Sequence, residues 1–235
     1  MELQEFAPHA LVAQLVFKTP TPAVIDQRGT LMTMLQDEFD AGVANGEPAA
    51  VEAFSEDKRE QYRIGTAQVM ASSENFDELD AASEKISRFA GVALGRLGDP
   101  NVGLVRVRTF DLAATGSFEE LRDTLAAAFG APRGELAEIV GQPMTDVGWV
   151  YEFTDSQPNV TLRFGPMKAS QIKTFVRDTR DSQYPAEFLF LDVDFAHPKE
   201  DLDPDRAVAR LQHSIESNRK VVRRVTDWLT EKIAQ

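Results

Sequence analysis

Two aspartates and a histidine stand close together in the run FLFLDVDFAH, residues 188–197. The run reads as a β-strand, and residues two apart on a strand share a face at a separation of about 7 Å. Asp192 and Asp194 are therefore neighbours on one face. Paired carboxylates at that reach can bind Mg²⁺ or Mn²⁺, often with a phosphate as co-ligand. A third carboxylate has to come from elsewhere, with Glu152 and Glu187 as candidates. The competing and preferred reading is an ion pair or a solvated face. Arg106 and Arg108 alternate with Val105 and Val107, so they too share a strand face. On a neighbouring strand they can meet the two aspartates across the ladder. His197 has the opposite parity and precedes Pro198, which directs it elsewhere.

A second cluster is basic. Near the end of the chain, Arg206, Arg210, His213, Lys220 and Arg224 recur at helical spacing. At 100° per residue they project within about 80° of one another. The opposite face carries Val208, Leu211, Ile215, Asn218, Val222, Val225 and Leu229 in strict 3-4 alternation. Such a seam either docks the helix on its own sheet, the preferred reading, or zips two helices into a homodimer. On a sheet, Asn218 is expected at the border of the contact. The basic stripe is a solvated face, or a grip for an acidic partner, RNA or the acidic first half of another copy. A third group is aromatic: Trp149, Tyr151, Phe188 and Phe190 offer contact area for a protein or a small ligand.

The elements that must position these residues follow from periodicity. Residues 11–18 alternate as a strand. A helix opens at Pro22 and ends near Gly42, with Ile25, Met32, Leu35 and Phe39 facing inward. Residues 51–54 and 62–71 read as strands, the second with Tyr62, Ile64 and Met70 on one side. A helical stripe from Leu79 to Leu97 stops at Gly98 and Pro100. Residues 101–110 then form a strand. Ser117 and Glu120 make a capping box for a helix that closes on Gly130. A loop or short helix covers residues 131–146. Strand patterns occupy 147–153, 160–164, 172–176 and 188–195. Asp203 and Pro204 open a last helix to about Ile233.

This order predicts an α+β fold of two similar β-α-β(2-4)-α units, residues 1–100 and 101–235, separate or fused into one compact domain. Each unit packs its helices on one face of an antiparallel sheet. The TATA-binding-protein-like and helix-grip folds are architectural analogies that carry no function.

Composition narrows the function classes. The 235 residues carry a net charge of −13, and most of the acidic excess falls in residues 1–100. Such a surface repels phosphate backbones, which argues against general nucleic-acid binding. The chain has no cysteine, so disulfides, thiolate catalysis and Cys-ligated metals are excluded. The start MELQEFAPHA lacks the pattern of a signal peptide. No apolar run reaches the roughly 20 residues of a membrane helix. The expectation is a cytoplasmic protein without a membrane span. Gly-rich nucleotide loops, a P-loop, HExxH and GxSxG are all missing from the sequence.

The segments LVAQLVF, NVGLVRVRTF and FLFLDVDFAH, with the closing LQHSIESNRKVVRRVTDWL, resemble a sporadically distributed bacterial family of uncharacterised proteins of about this length. The resemblance spans the chain and rests on hydrophobic patterns. It implies no activity and no catalytic residues. Its sporadic distribution implies an accessory in a mobile or defence-type gene set. The function expected is therefore non-enzymatic binding of a protein or small ligand. The alternative is a Mg- or Mn-dependent enzyme using Asp192 and Asp194 on a phosphorylated substrate.

Overall fold

The computed structural model describes residues 3–44, 47–76, 78–131, 133–155, 157–172 and 187–234. In chain order the first elements are β1 (Ala7–Phe17), α1 (Ala23–Asp26), α2 (Arg28–Phe39), β2 (Ala41–Ala44), β3 (Ala50–Ser55), β4 (Glu60–Gly65), β5 (Gln68–Glu74) and α3 (Leu79–Arg96). There follow β6 (Val102–Thr115), α4 (Phe118–Ala128), α5 (Arg133–Val140), β7 (Trp149–Phe153), β8 (Asn159–Lys168), α6 (Ala169–Ile172), β9 (Glu187–Leu202) and α7 (Pro204–Ala234).

The fold is α+β. Nine strands form one sheet in the order β2-β3-β4-β5-β1-β6-β9-β8-β7, and every pairing is antiparallel. Alternation divides the side chains between two faces. One face presents Leu15, Ile64, Val69, Val105, Val107, Val193 and Phe195, all buried. Helices α2, α3, α4 and α7 cover this face. The long α7 ties the layer together. Its Leu211 and Ile215 join the core under α3, and its Leu229 joins Leu191, Val193 and Phe195. Leu189, on the same face, packs with Leu121 and Leu125 of α4.

Local sequence explains the caps. Ser117 Oγ accepts the Glu120 amide at 3.2 Å, half of the expected capping box. Asp203 Oδ1 accepts the Arg206 amide at 2.9 Å and opens α7. After α3 the chain reverses through Gly98 at φ +77°, a left-handed turn that glycine takes without steric cost.

Several expectations are corrected. Residues 62–71 form two strands, β4 and β5, joined by the two-residue loop Thr66–Ala67. The loop slips the alternation by one, so Met70 faces away from Tyr62 and Ile64. The first helix breaks at Gln27 (φ −106°) into α1 and α2, and Ile25 is exposed while Val24 is buried. The second helix stops at Phe39, and Ala41–Ala44 forms β2 beyond a left-handed Asp40. Ile172 ends α6 rather than starting a strand, and residues 173–176 lie outside the described residues. Asn218 is fully buried, in the middle of the contact between α7 and the sheet.

Candidate functional site

The face opposite α2, α3, α4 and α7 carries the chemistry that the aspartates promised. β9 lies between β6 and β8, and the three strands bring five charged side chains into one row. The register sets Asp194 opposite Arg108 and Thr161, and Asp192 opposite Phe110 and Arg163. The arginines of β6 lean one pair along the ladder. Arg108 donates from Nε and Nη2 to Asp192 at 2.7 Å each, a two-pronged contact. Arg106 grips Asp194 in the same way, with Nε to Oδ1 at 2.8 Å and Nη2 to Oδ2. From the other side, Arg163 Nη1 donates to Asp192 Oδ2 at 3.1 Å.

The carboxylates lie beneath the guanidiniums. Asp192 and Asp194 are buried, whereas the side chains of Arg106, Arg108 and Arg163 are 42%, 37% and 34% exposed. The hydrogen bond to Asp194 is the main reason Arg106 holds its proton above the ordinary guanidinium range, and Asp192 acts likewise on Arg108. Two anions against three cations leave the row with one surplus positive charge on a chain of net −13. The row is thus a set of oriented, half-exposed N–H donors.

Alternation along β6 foretold Arg106 and Arg108. Arg163 was missed, although it separates the inward Leu162 and Phe164 in the run TLRFG. Next to the row, Phe190 stacks on Phe110 with ring centres 6.0 Å apart. A Cβ on Gly165 would stand 2.9 Å from the Val147 carbonyl and 3.3 Å from the Phe190 ring. Glycine is what lets these groups close over β8. Phe188, Phe110, Leu112, Met167 and Ile172 continue this face as a buried apolar cluster.

The aromatic group is divided between the two faces. Phe188 and Phe190 lie on the face opposite α2, α3, α4 and α7. Trp149 and Tyr151 pair with Phe164 and Leu162, which places them on the helix side. Trp149 stacks on Phe164 at 5.5 Å and serves packing, while Tyr151 is partly exposed on the edge strand.

The proposed third carboxylates do not meet the pair. Glu187 has the parity of Leu189 and points to the opposite face. Glu152 lies on β7, with the Thr161 position of β8 between it and Asp194. Among the described residues no group of three His, Asp or Glu side chains is placed to hold a metal ion. His197 is buried on the helix side, where burial first and then Arg210 lower its pKa.

The basic stripe lies on the outer face of α7. Arg206, His213, Lys220 and Arg224 are exposed. Arg210 is different: its Nε lies 3.2 Å from Glu200 of β9. The seam opposite the stripe is docked on the chain's own sheet, with Leu211, Ile215, Asn218 and Leu229 buried. No described helix is long and apolar enough to cross a membrane. Compared with known proteins, the chain matches no family model and no curated protein.

Proposed function

We propose that the chain is a non-enzymatic binding protein that receives an acidic protein segment on the sheet face opposite α2, α3, α4 and α7. One observation carries this reading: two buried carboxylates hold three half-exposed guanidiniums in a fixed row. A free arginine loses side-chain entropy when it binds a partner. One already held in place loses less, so a pre-organised row binds with a smaller entropic cost. The adjacent Phe190 adds apolar contact area, and aromatic and arginine side chains together are typical of binding hot spots.

A finer reading takes the chain as two fused, related units, residues 1–100 and 101–235, with the architecture of the TATA-binding-protein-like or helix-grip folds. The strand order supports it. β1 and β6 lie side by side at the centre, each followed outward by the last strand of its own half, β5 or β9. Within this proposal the chain is a cytoplasmic accessory of the sporadic bacterial family that it resembles. A second copy, if one is bound, meets the outer stripe of α7 rather than its seam.

The test is co-purification of the tagged chain from its native host beside an Arg163→Gln variant, which keeps both bidentate pairs. A defined protein is expected with the wild type, lost as salt rises and depleted with the variant. Equal recovery with both would place the partner elsewhere. A rise in melting temperature on adding Mn²⁺ that disappears in Asp192→Asn would replace this reading with the metal-dependent one.

A further inference from the structure

On the helix side of the sheet, a groove of about 700 Å³ runs between the N-terminal segment and α7. That volume suits a small organic molecule. Leu3, Phe6, Leu79 and Val222 give it apolar walls, and Asp111 of β6 lies at its base. Asp111 is 4% exposed, and its Oδ2 is buried with no hydrogen-bond partner. The ladder explains why nothing local serves it. Its ladder neighbours, Pro8 on β1 and Leu191 on β9, carry no side-chain donor. A buried carboxyl without a donor costs stability, whereas an apolar residue there would not. Neither the core nor the guanidinium row uses this group.

We propose that the groove binds a small ligand carrying a primary ammonium on an apolar body, with the ammonium paired to Asp111. An ammonium supplies the missing donors and a counter-charge, and the walls take the apolar body. The charges around the groove agree with a cationic ligand. Glu5 of the N-terminal segment and Asp227 of α7 line it with Asp111. Of its two arginines, Arg219 is already held by Asp80 at 2.5 Å. Arg223 makes no ion pair among the described residues, so it is available to a carboxylate if the ligand has one. A simple amine and an amino acid are thus the two sources of the same ammonium chemistry. This site stands independently of the sheet-face reading.

Burial, and secondarily the charge of Asp192 on the other face, push the Asp111 carboxyl up to about 7. Ammonium binding then competes with a proton. Glu5, Arg219, Arg223 and Asp227 are the other charged groups that face the same groove.

Calorimetric titration of the full chain with phenethylamine and with phenylalanine, at pH 6 and pH 8, tests the proposal. Phenethylamine is expected to bind roughly tenfold more tightly at pH 8, following the ionised fraction of a carboxyl near 7. Asp111→Asn is expected to lose binding at both values. Tighter binding of phenylalanine, with the advantage removed by Arg223→Gln, assigns the site to amino acids, and equal binding assigns it to simple amines. Failure of both probes at pH 8 overturns the proposal. So does a wild-type affinity that does not change with pH, a comparison that needs no variant to fold.

Discussion

Thr109 Oγ1 of β6 donates to Asn218 Oδ1 of α7 at 2.9 Å, inside the dry contact between helix and sheet. Asn218 Nδ2 in turn donates to the Val193 carbonyl of β9 at 3.0 Å. One side chain therefore clamps the longest helix to two central strands. Replacement of Asn218 by Ala leaves Thr109 without its buried acceptor and opens a small void. A loss of about 1–3 kcal/mol is expected in urea unfolding. The double variant Thr109→Val/Asn218→Leu should recover part of it, because an apolar pair leaves no polar group unpaired. A loss in the double variant as large as the sum of the singles would show that packing rather than hydrogen bonding dominates there.

The guanidinium row makes an asymmetric prediction. Among the described residues Asp192 has two arginine partners, whereas Asp194 has Arg106 alone. Arg106→Ala therefore strands a buried carboxylate, while Arg163→Ala leaves Asp192 still paired with Arg108. The half-exposed setting admits water, so the expected cost of Arg106→Ala is about 1–3 kcal/mol, with less than about 1 for Arg163→Ala. Equal losses would mean that the row contributes through apolar stem packing rather than through charge.

Leu191 is fully buried beneath α7 with Val193, Phe195 and Leu229. Leu191→Ala should cost about 2–5 kcal/mol in denaturant unfolding, the range for a buried leucine truncation. A cost below about 0.5 kcal/mol would show that the strand presents its other face to the helix.

Much of this was legible because alternation is local. The inward run Leu191, Val193, Phe195 and the outward pairs Arg106/Arg108 and Asp192/Asp194 can be read strand by strand. Which strands lie side by side is a long-range matter, so Arg163, arriving from β8, was missed as a partner of Asp192. Met70 went astray because the two-residue loop Thr66–Ala67 sits inside what reads as continuous alternation. Asn218 was expected at a border because a polar seam residue normally avoids a dry contact; Thr109 and the Val193 carbonyl satisfy it there. Asp111 is hidden because the strand pattern in the sequence ends at Phe110. Its parity with Val105, Val107 and Thr109 would have placed it on the core side had β6 been carried to Thr115.

Asp111 should make stability depend on pH. Its carboxyl lies near 3.8 when exposed and is raised to about 7 in the fold. A raised acid means that the folded state holds the proton more tightly than the unfolded state. The group therefore costs nothing below about pH 4. Its penalty grows as pH rises from about 4 to 7 and is constant above that, on the order of 4 kcal/mol at the full shift. Asp111→Asn should be more stable than wild type at pH 8 and lose that advantage by pH 4. Denaturant unfolding of both proteins at the two pH values measures this directly. A variant advantage that is unchanged or larger at pH 4 would show that the carboxyl is not desolvated as its burial implies.

The outer stripe of α7 separates two kinds of cation. Lys220 and Arg224 are exposed and make no ion pair among the described residues, whereas Arg210 sits 3.2 Å from Glu200, whose side chain is only 14% exposed. Reversing Lys220 and Arg224 to Glu touches no packing, because the seam on the opposite face carries Leu211, Ile215 and Leu229. Their joint effect on stability should stay within about 0.5 kcal/mol per site. Reversing Arg210 sets two carboxylates against each other at a partly dry site, so its cost should be clearly larger. Urea unfolding of the two variants distinguishes them. If the acidic partner also touches this stripe, Lys220→Glu/Arg224→Glu slows its association at low salt, and the difference fades above about 0.15 M as exposed charges are screened. If association is unchanged at low salt while Arg163→Gln weakens it, the stripe is a solvated helix face and the sheet row alone makes the contact.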